Sequence, residues 1–159
     1  MMGSNPVSET RINRILLPTD GSENATRAAN LAIEVSKKFG AELVVLHVIA
    51  VPATGVAKAG LSHGYDVDLQ EYFASARKKA DTIVDEVIRL AEAENVKTTR
   101  LIREYAFSIV ETILEQATKS NIDLIVMGTR GLTGFKELLI GSVSSGVLHH
   151  AHCPVLIVR

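Results

Sequence analysis

Apolar residues follow two alternating patterns along this chain, and together they predict a series of strands and helices. Short and nearly unbroken apolar runs are typical of strands that are covered on both faces in a parallel sheet. Longer stretches with an apolar residue every three or four positions are typical of amphipathic helices. The runs predict strands over residues 14–20, 42–49, 97–104, 123–127 and 154–158. The periodic stretches predict helices over residues 23–39, 69–91, 108–121 and 141–152.

Residues that favour helix ends occur at the boundaries of two predicted helices. Ser22 or Asp20 is suited to cap the N-terminus of the first helix, and Gly40 can adopt the left-handed conformation that ends it. A capping-box pattern begins at Ser108 and opens the third helix. Asn121 can end that helix in a left-handed conformation. These signals agree with the helices that the apolar periodicity predicts.

The regular alternation of strands and helices predicts an α/β fold, with an open, doubly wound parallel sheet and helices on both of its faces. We expect one domain over residues 14–159, preceded by a loose leader at 1–13, because the chain contains no repeat or linker. The stretch 50–66 is rich in glycine and alanine and has no periodicity, which predicts a loop. The third strand mixes β-branched and charged residues and is expected at an edge of the sheet.

The composition narrows the class of protein. Of 159 residues, 47% are hydrophobic and 22% charged, and the formal net charge is -1. The apolar content and the balanced charge exclude a disordered chain. A protein that binds DNA or RNA usually carries a large excess of Lys and Arg, so we expect no nucleic-acid polymer as a partner.

The sequence also indicates a cytoplasmic protein that does not enter a membrane. The polar start has no apolar core of the kind that a signal peptide needs. The most apolar stretch, residues 43–51, contains His47 and stops at Pro52, well short of the roughly 20 residues of a membrane span. The only cysteine, Cys153, cannot form an internal disulfide, which fits a reducing compartment.

Two glycine-containing segments are expected to meet at one edge of the sheet, where parallel α/β proteins bind ligands. One is the turn 18–22 after the first strand. The other begins with Gly128 and Gly131 after the fourth strand and continues, nine residues later, with Gly141 and Ser142 at a helix start. Glycines let the backbone approach an anion closely, and free N–H groups at a helix N-terminus attract phosphate. The second segment is neither a Walker A loop nor a Gly-x-Gly-x-x-Gly fingerprint.

This second segment resembles the universal stress protein family. ATP-binding members of that family carry glycine, two residues, glycine, nine residues, and then glycine followed by serine or threonine. The resemblance extends over nearly the whole chain after the leader, in segments 16–22, 46–48, 123–128 and 153–158. It implies a five-stranded sheet in the order 3-2-1-4-5, in which strands 1 and 4 are neighbours.

The resemblance also implies a site for ATP. Pro18, Thr19 and Asp20 are expected on the adenine and ribose side, and Val48 is expected to contact the base through its backbone. The residues that the resemblance places around the ribose and phosphates are Met127, Gly128, Arg130, Gly131, Gly141, Ser142, Val143 and Ser144. A carboxylate such as Asp20 can accept hydrogen bonds from a sugar hydroxyl or bind Mg²⁺ carried by the phosphates, and both roles stay open.

The sequence with this resemblance indicates an ATP-binding, dimeric regulator or sensor in the stress response. Strand 5 would otherwise leave an exposed apolar edge, which a two-fold homodimer can cover. The residues of that edge are Val155, Leu156, Ile157 and Val158. No catalytic triad, P-loop lysine or paired carboxylates point to rapid turnover. The alternatives are a slow Mg²⁺-dependent ATPase that uses Asp20, a sensor of AMP or cyclic AMP, and a nucleotide-free interaction module.

Two departures from the family pattern stand out. The segment 103–108 after strand 3 lacks the usual glycine, so its turn must be built differently. His149, His150 and His152 replace a more usual arginine-bearing pattern, and their role stays open. With Cys153 they raise a metal-site hypothesis, against which we expect a solvated helix end, because ligands so close in sequence rarely converge on one metal.

Overall fold

Strands and helices alternate along the chain in the computed structural model, which describes residues 11–52, 66–130 and 140–159, apart from the side chains of 66–68. The strands are β1 (Arg14–Pro18), β2 (Glu42–Ala50), β3 (Thr98–Ala106), β4 (Leu124–Gly128) and β5 (Val155–Val158). The helices are α1 (Glu23–Phe39), α2 (Asp66–Ala93), α3 (Ile109–Lys119) and α4 (Ser142–His150). Residues 1–10 of the predicted leader, 53–65 of the predicted loop and 131–139, with Gly131, lie outside the described residues.

The described strands form one parallel sheet in the order β3-β2-β1-β4-β5. The predicted α/β fold and strand order are therefore confirmed, and the described residues contain the four predicted helices. The order reverses direction between β1 and β4, whose carboxyl ends define the switch point at which sheets of this kind bind ligands.

The two faces of the sheet bury separate apolar clusters, because successive side chains of a strand point to opposite faces. In β1, Leu17 packs with residues of α1 and α2 on one face. Leu16 packs with residues of α3 and α4 on the other face. Both leucines are fully buried, so the helices cover the sheet on both sides as predicted.

The ends of α1 and α3 follow the capping signals. The Ser22 hydroxyl accepts a hydrogen bond from the Ala25 backbone N–H at 3.2 Å, so Ser22 and not Asp20 caps α1. Gly40 follows α1 with a φ of 65°, and Asn121 follows α3 with a φ of 47°. The Ser108 hydroxyl accepts from the Glu111 backbone N–H at 3.2 Å. Local side-chain chemistry thus fixes these helix ends.

Most elements differ by a few residues from the predicted bounds, and the largest difference is at α2, which runs from Asp66 to Ala93 where the periodicity predicts 69–91. Helix α4 ends at His150 and not at 152, because Ala151 is already extended, with a φ of -66° and a ψ of 141°. Pro154 follows closely, and proline cannot continue a helix. Strand β3 runs two residues beyond the predicted end and pairs Ala106 with Ala50 after a shift of register. Within the described residues, no helix combines the length and apolar character needed to cross a membrane.

The turn at the end of β3 is built around a tyrosine where a glycine would be expected. Tyr105 has a φ of 58°. This left-handed conformation is uncommon for a bulky side chain. The Tyr105 ring lies 4.1 Å from the ring of Phe73 on α2, measured between centroids. Since Phe73 is buried, this aromatic contact offsets part of the conformational cost and replaces the freedom of a glycine.

Candidate functional site

The carboxyl end of β1 leads directly into the first turn of α1. The buried Thr19 donates its backbone N–H to the Leu46 carbonyl oxygen at 2.9 Å, which ties the turn to β2. An Asp20 carboxylate oxygen accepts a hydrogen bond from the Ser22 backbone N–H at 3.0 Å. Gly21 has a φ of 75° between them. The Asp20 carboxylate is therefore held at the helix start, at the edge that the sequence predicts.

His47 lies beside this turn, near the end of β2. Its Nδ1 is 2.8 Å from the Thr19 carbonyl oxygen. A carbonyl oxygen can only accept, so Nδ1 carries the hydrogen. Burial lowers the pKa of His47, while the hydrogen bond to Thr19 and the charge of Asp20 oppose that shift. This half-buried imidazole contacts the backbone of the predicted Thr19, next to Asp20, and the half-buried Val48 follows it.

The carboxyl end of β4 packs unusually closely against the start of α1. A Cβ atom placed on Gly128 would lie 2.9 Å from both the carbonyl carbon and the carbonyl oxygen of Asn24. Real Cβ atoms do not approach backbone this closely, so a side chain at position 128 would push the helix away. Met127 before it is buried, and Thr129 after it donates its backbone N–H to the Val158 carbonyl oxygen at 2.8 Å. Gly128 thus has a packing role in addition to its predicted place in a phosphate loop.

The chain returns to the end of β4 where α4 begins. The Gly141 backbone N–H donates to the Thr129 carbonyl oxygen at 2.6 Å. The buried Ser144 hydroxyl lies 2.9 Å from the carbonyl oxygens of both Gly128 and Thr129, and it can donate its hydrogen to either. The described ends of the glycine motif, at Gly128 and at Gly141, therefore lie close together.

The N-terminus of α4 has the character of an anion site. Its capping residue is Gly141, which has no side chain to accept hydrogen bonds from the first N–H groups of the helix. Ser142 is exposed and Val143 is half-buried. Because the first N–H groups and the helix dipole favour negative charge, this terminus can hold a phosphate group. Ser144 differs from Ser142, since its hydroxyl is engaged with backbone carbonyls.

A cavity of about 150 Å³ lies beside this edge, on the α1 side of β4. The residues that line it are Asn24, Arg27, Thr129, Arg130 and Arg159. Of these five residues, only Arg130 is among the site residues predicted from the sequence. A signal was available, since Asn24 and Arg27 lie in the first turns after strand 1, and Arg159 directly follows strand 5. All of them thus stand at the carboxyl ends of strands, where the sequence placed the ligand.

The histidines at the end of α4 lie at an exposed helix end. Nδ1 of His149 is 2.7 Å from the Ser145 carbonyl oxygen, and Nδ1 of His150 is 2.9 Å from that of Gly146, both one turn back in the helix. His152 is exposed as well. Among the residues that the structure describes, no three of His, Cys, Asp and Glu come together to hold a metal ion. Cys153 is half-buried, and burial raises the pKa of its thiol.

Comparison with known proteins identifies the family. The sequence profile described as "Universal stress protein family" matches residues 11–159. The chain belongs to the universal stress protein family. The universal stress protein MJ0531 of Methanocaldococcus jannaschii is 38% identical to it over 152 residues, which cover 95% of this chain and 84% of that protein. The universal stress protein YxiE of Bacillus subtilis is 33% identical over 150 residues, 92% of this chain and 99% of that protein.

Solved structures share the fold. The protein MJ0577 superposes with a TM-score of 0.69 at 26% identity, covering 93% of this chain and 96% of its own. Three similar chains were solved with a nucleotide. One universal stress protein carries cAMP (TM-score 0.65, 22% identity, 94% of this chain, 98% of that one). One from Archaeoglobus fulgidus carries dAMP (TM-score 0.64, 17% identity, 93% of this chain, 98% of that one). One from Arabidopsis thaliana carries AMP (TM-score 0.65, 18% identity, 92% of this chain, 90% of that one).

Proposed function

We propose that this universal stress protein binds an adenine nucleotide, ATP foremost, at the carboxyl ends of β1 and β4. The observation that carries this proposal is the closure of α4 onto the end of β4 through Gly141 and Ser144, next to the point where strand order reverses. The closure sets a helix N-terminus, capped only by a glycine, at the ligand-binding edge of the sheet. The nucleotides in structures of similar fold support the same class of ligand.

The residues at this edge suit the parts of a nucleotide. Pro18, Thr19 and Asp20 would line the adenine and ribose side, with Asp20 accepting a hydrogen bond from a ribose hydroxyl. The Val48 backbone would contact the base. The residues that would surround the ribose and phosphates are Met127, Gly128, Arg130, Gly131, Gly141, Ser142, Val143 and Ser144. Mg²⁺ would arrive with the phosphates, and Asp20 is the carboxylate suited to reach it.

We further propose a regulatory role in the stress response in which the bound nucleotide changes the surface that a partner meets. No nucleophile or general base is assigned at this edge, and slow ATP hydrolysis through Asp20 and Mg²⁺ stays the enzymatic alternative. We place the protein in the cytoplasm, because a chain with a single cysteine suits a reducing compartment.

Substitution of the exposed Ser142 tests the nucleotide site without disturbing the core. A Ser142→Glu variant is expected to bind ATP at least about tenfold more weakly than wild type, because its carboxylate repels phosphate at the start of α4. Glutamate suits the first turn of a helix, so the fold is retained. Titration calorimetry with ATP, AMP and cyclic AMP, each with and without Mg²⁺, measures the effect.

A Ser142→Gln variant is the matched control for this experiment. Glutamine has nearly the same size as glutamate and no charge, so it separates charge repulsion from steric exclusion. The proposal fails if wild-type protein binds no nucleotide at millimolar concentration, or if both variants bind ATP as tightly as wild type. Binding of AMP or cyclic AMP in preference to ATP would favour the sensor alternative.

We also propose that two copies of the chain pair through β5. This strand has one neighbour in the described sheet, β4, and its side chains at 155–158 are all apolar. Leu156 is 37% exposed. The opposite edge strand, β3, is protected by charge instead, with Arg100 bound to Asp81 and Asp85 of α2. An apolar edge without such protection is one that a second copy can cover.

A Leu156→Glu variant is expected to be monomeric where wild type is dimeric, because the pairing would bring two carboxylates to the same apolar interface. Sedimentation or light scattering at micromolar concentration measures the mass. The matched control is Phe39→Glu, which places the same charge on an exposed apolar residue at the end of α1. A monomeric wild type, or a dimer that survives Leu156→Glu, would contradict pairing through β5.

A further inference from the structure

Three arginines from distant parts of the sequence meet at the cavity beside the proposed nucleotide edge. Arg27 comes from α1, Arg130 follows β4, and Arg159 follows β5. The Thr129 backbone N–H donates to the Val158 carbonyl oxygen at 2.8 Å, which fixes the chain before Arg159 next to the chain before Arg130. The sheet itself therefore sets the spacing of these two arginines.

The close packing of α1 on β4 brings the third arginine to the same place. Since Gly128 has no side chain, the backbone of Asn24 can approach the end of β4. That approach puts the first turns of α1, with Asn24 and Arg27, at the wall of the cavity. Residues of α1 and residues that directly follow β4 and β5 thus line the cavity.

The lining chemistry is that of an oxyanion site. None of the five lining residues is acidic, and Asn24 and Thr129 add an amide and a hydroxyl to the three guanidinium groups. Arg27 also forms an ion pair with Glu23, one turn earlier in α1. Glu23 is 79% exposed in its side chain, so this surface pair contributes little stability and can open for another anion. Guanidinium groups bind phosphate oxygens with strong, charge-assisted hydrogen bonds.

We propose that this cavity binds a phosphate group through Arg27, Arg130 and Arg159. Its volume is about 150 Å³. One water molecule takes up roughly 30 Å³ of liquid, so a phosphate fits with some of its hydration. Two sources share this chemistry. The phosphate is either free inorganic phosphate or a terminal phosphate of the nucleotide, and the second case rests on the proposed function. Arg130 links the two places, because its backbone lies next to Gly141 at the start of α4.

Neutral variants of the two exposed arginines, Arg27 and Arg159, test this site. Arg159→Gln and Arg27→Gln each remove one exposed guanidinium group and leave the core untouched. Arg89→Gln, on the exposed side of α2, is the matched control. Titration calorimetry with inorganic phosphate alone, with ATP and with AMP gives the affinities, and thermal unfolding confirms that each variant is folded.

The expected result is a loss of about tenfold in affinity for either inorganic phosphate or ATP in the Arg159 and Arg27 variants, and none in the control. A loss for inorganic phosphate identifies free phosphate as the ligand. A loss for ATP with unchanged AMP affinity identifies a terminal nucleotide phosphate. If both variants bind inorganic phosphate and ATP as the control does, the proposal is overturned.

The Ser142→Glu variant separates this inference from the proposed function. If Ser142→Glu and Ser142→Gln both bind nucleotide as tightly as wild type while Arg159→Gln weakens the binding of inorganic phosphate, the nucleotide site fails and the phosphate cavity stands. If Ser142→Glu alone weakens ATP and AMP binding, the nucleotide site stands and the cavity fails.

Discussion

A Gly128→Ala variant is expected to unfold with a free energy about 1–3 kcal/mol below that of wild type. The added Cβ would lie 2.9 Å from the carbonyl carbon and oxygen of Asn24, and backbone atoms cannot turn aside as a side chain can. This steric overlap can be relieved only if α1 moves away from β4. That movement also loosens the cavity that Asn24 helps to line. Urea denaturation followed by circular dichroism measures the change.

A Gly40→Asn variant is the control, because Gly40 is required by its backbone conformation and not by a close neighbour. Gly40 has a φ of 65°, and no atom lies within 4 Å of a Cβ built on it. Asparagine tolerates this left-handed conformation, so we expect a loss of no more than about 1 kcal/mol. If Gly128→Ala were as mild as Gly40→Asn, the close approach to Asn24 would not be what requires glycine at 128.

Much of the fold could be predicted from the sequence because local and global signals agree. Unbroken runs such as residues 43–46 occur as strands with both faces covered, and Ser22 and Gly40 bound α1 as their chemistry demands. Tyr105 shows where this reasoning stops. Its left-handed backbone goes together with a ring contact to Phe73 on another element, and no local pattern signals such a contact.

The sequence proposes where the candidate site lies, but it does not tell which of its residues pack the fold and which face a ligand. Glycines that follow a strand signal a close approach of backbone, and the sequence does not tell whether a ligand or another element makes that approach. At Gly128 the approaching group is the first turn of α1. The expected strand order already places Arg27 and Arg159 at the same edge as Arg130, but only the structure shows that their side chains line one cavity.

The near-neutral charge of the chain conceals a local concentration of positive charge. A formal net charge of -1 argues against a polymer of nucleic acid as partner, which needs an extended basic surface. A single phosphate group needs much less. Three arginines around one cavity and the N-terminus of α4 beside it can hold phosphate without changing the overall balance.

A Ser144→Val variant is expected to lose about 1–3 kcal/mol of unfolding free energy, because it removes the buried hydroxyl that donates its hydrogen to one of two backbone carbonyl oxygens. The Ser144 hydroxyl is 2.9 Å from the carbonyl oxygens of Gly128 and Thr129, and the residue is 3% exposed. Valine also adds a methyl group at this buried position, so a Ser144→Ala variant, which removes the hydroxyl and adds no atom, is measured beside it to isolate the hydrogen bond. Urea denaturation measures the loss.

The contrast between two serines of α4 tells a structural role from a ligand-binding one. Ser142 is exposed at the start of the helix. Ser142→Ala is therefore expected to change the unfolding free energy by no more than about 0.5 kcal/mol. Ser144→Val lowers stability in the absence of any nucleotide, since its partners are protein carbonyls that join α4 to the end of β4. A Ser144→Val variant with wild-type stability and reduced nucleotide affinity would instead make this hydroxyl a ligand contact. Because Ser144 joins α4 to the end of β4, we expect the variant to lose stability first and to bind nucleotide more weakly as a consequence.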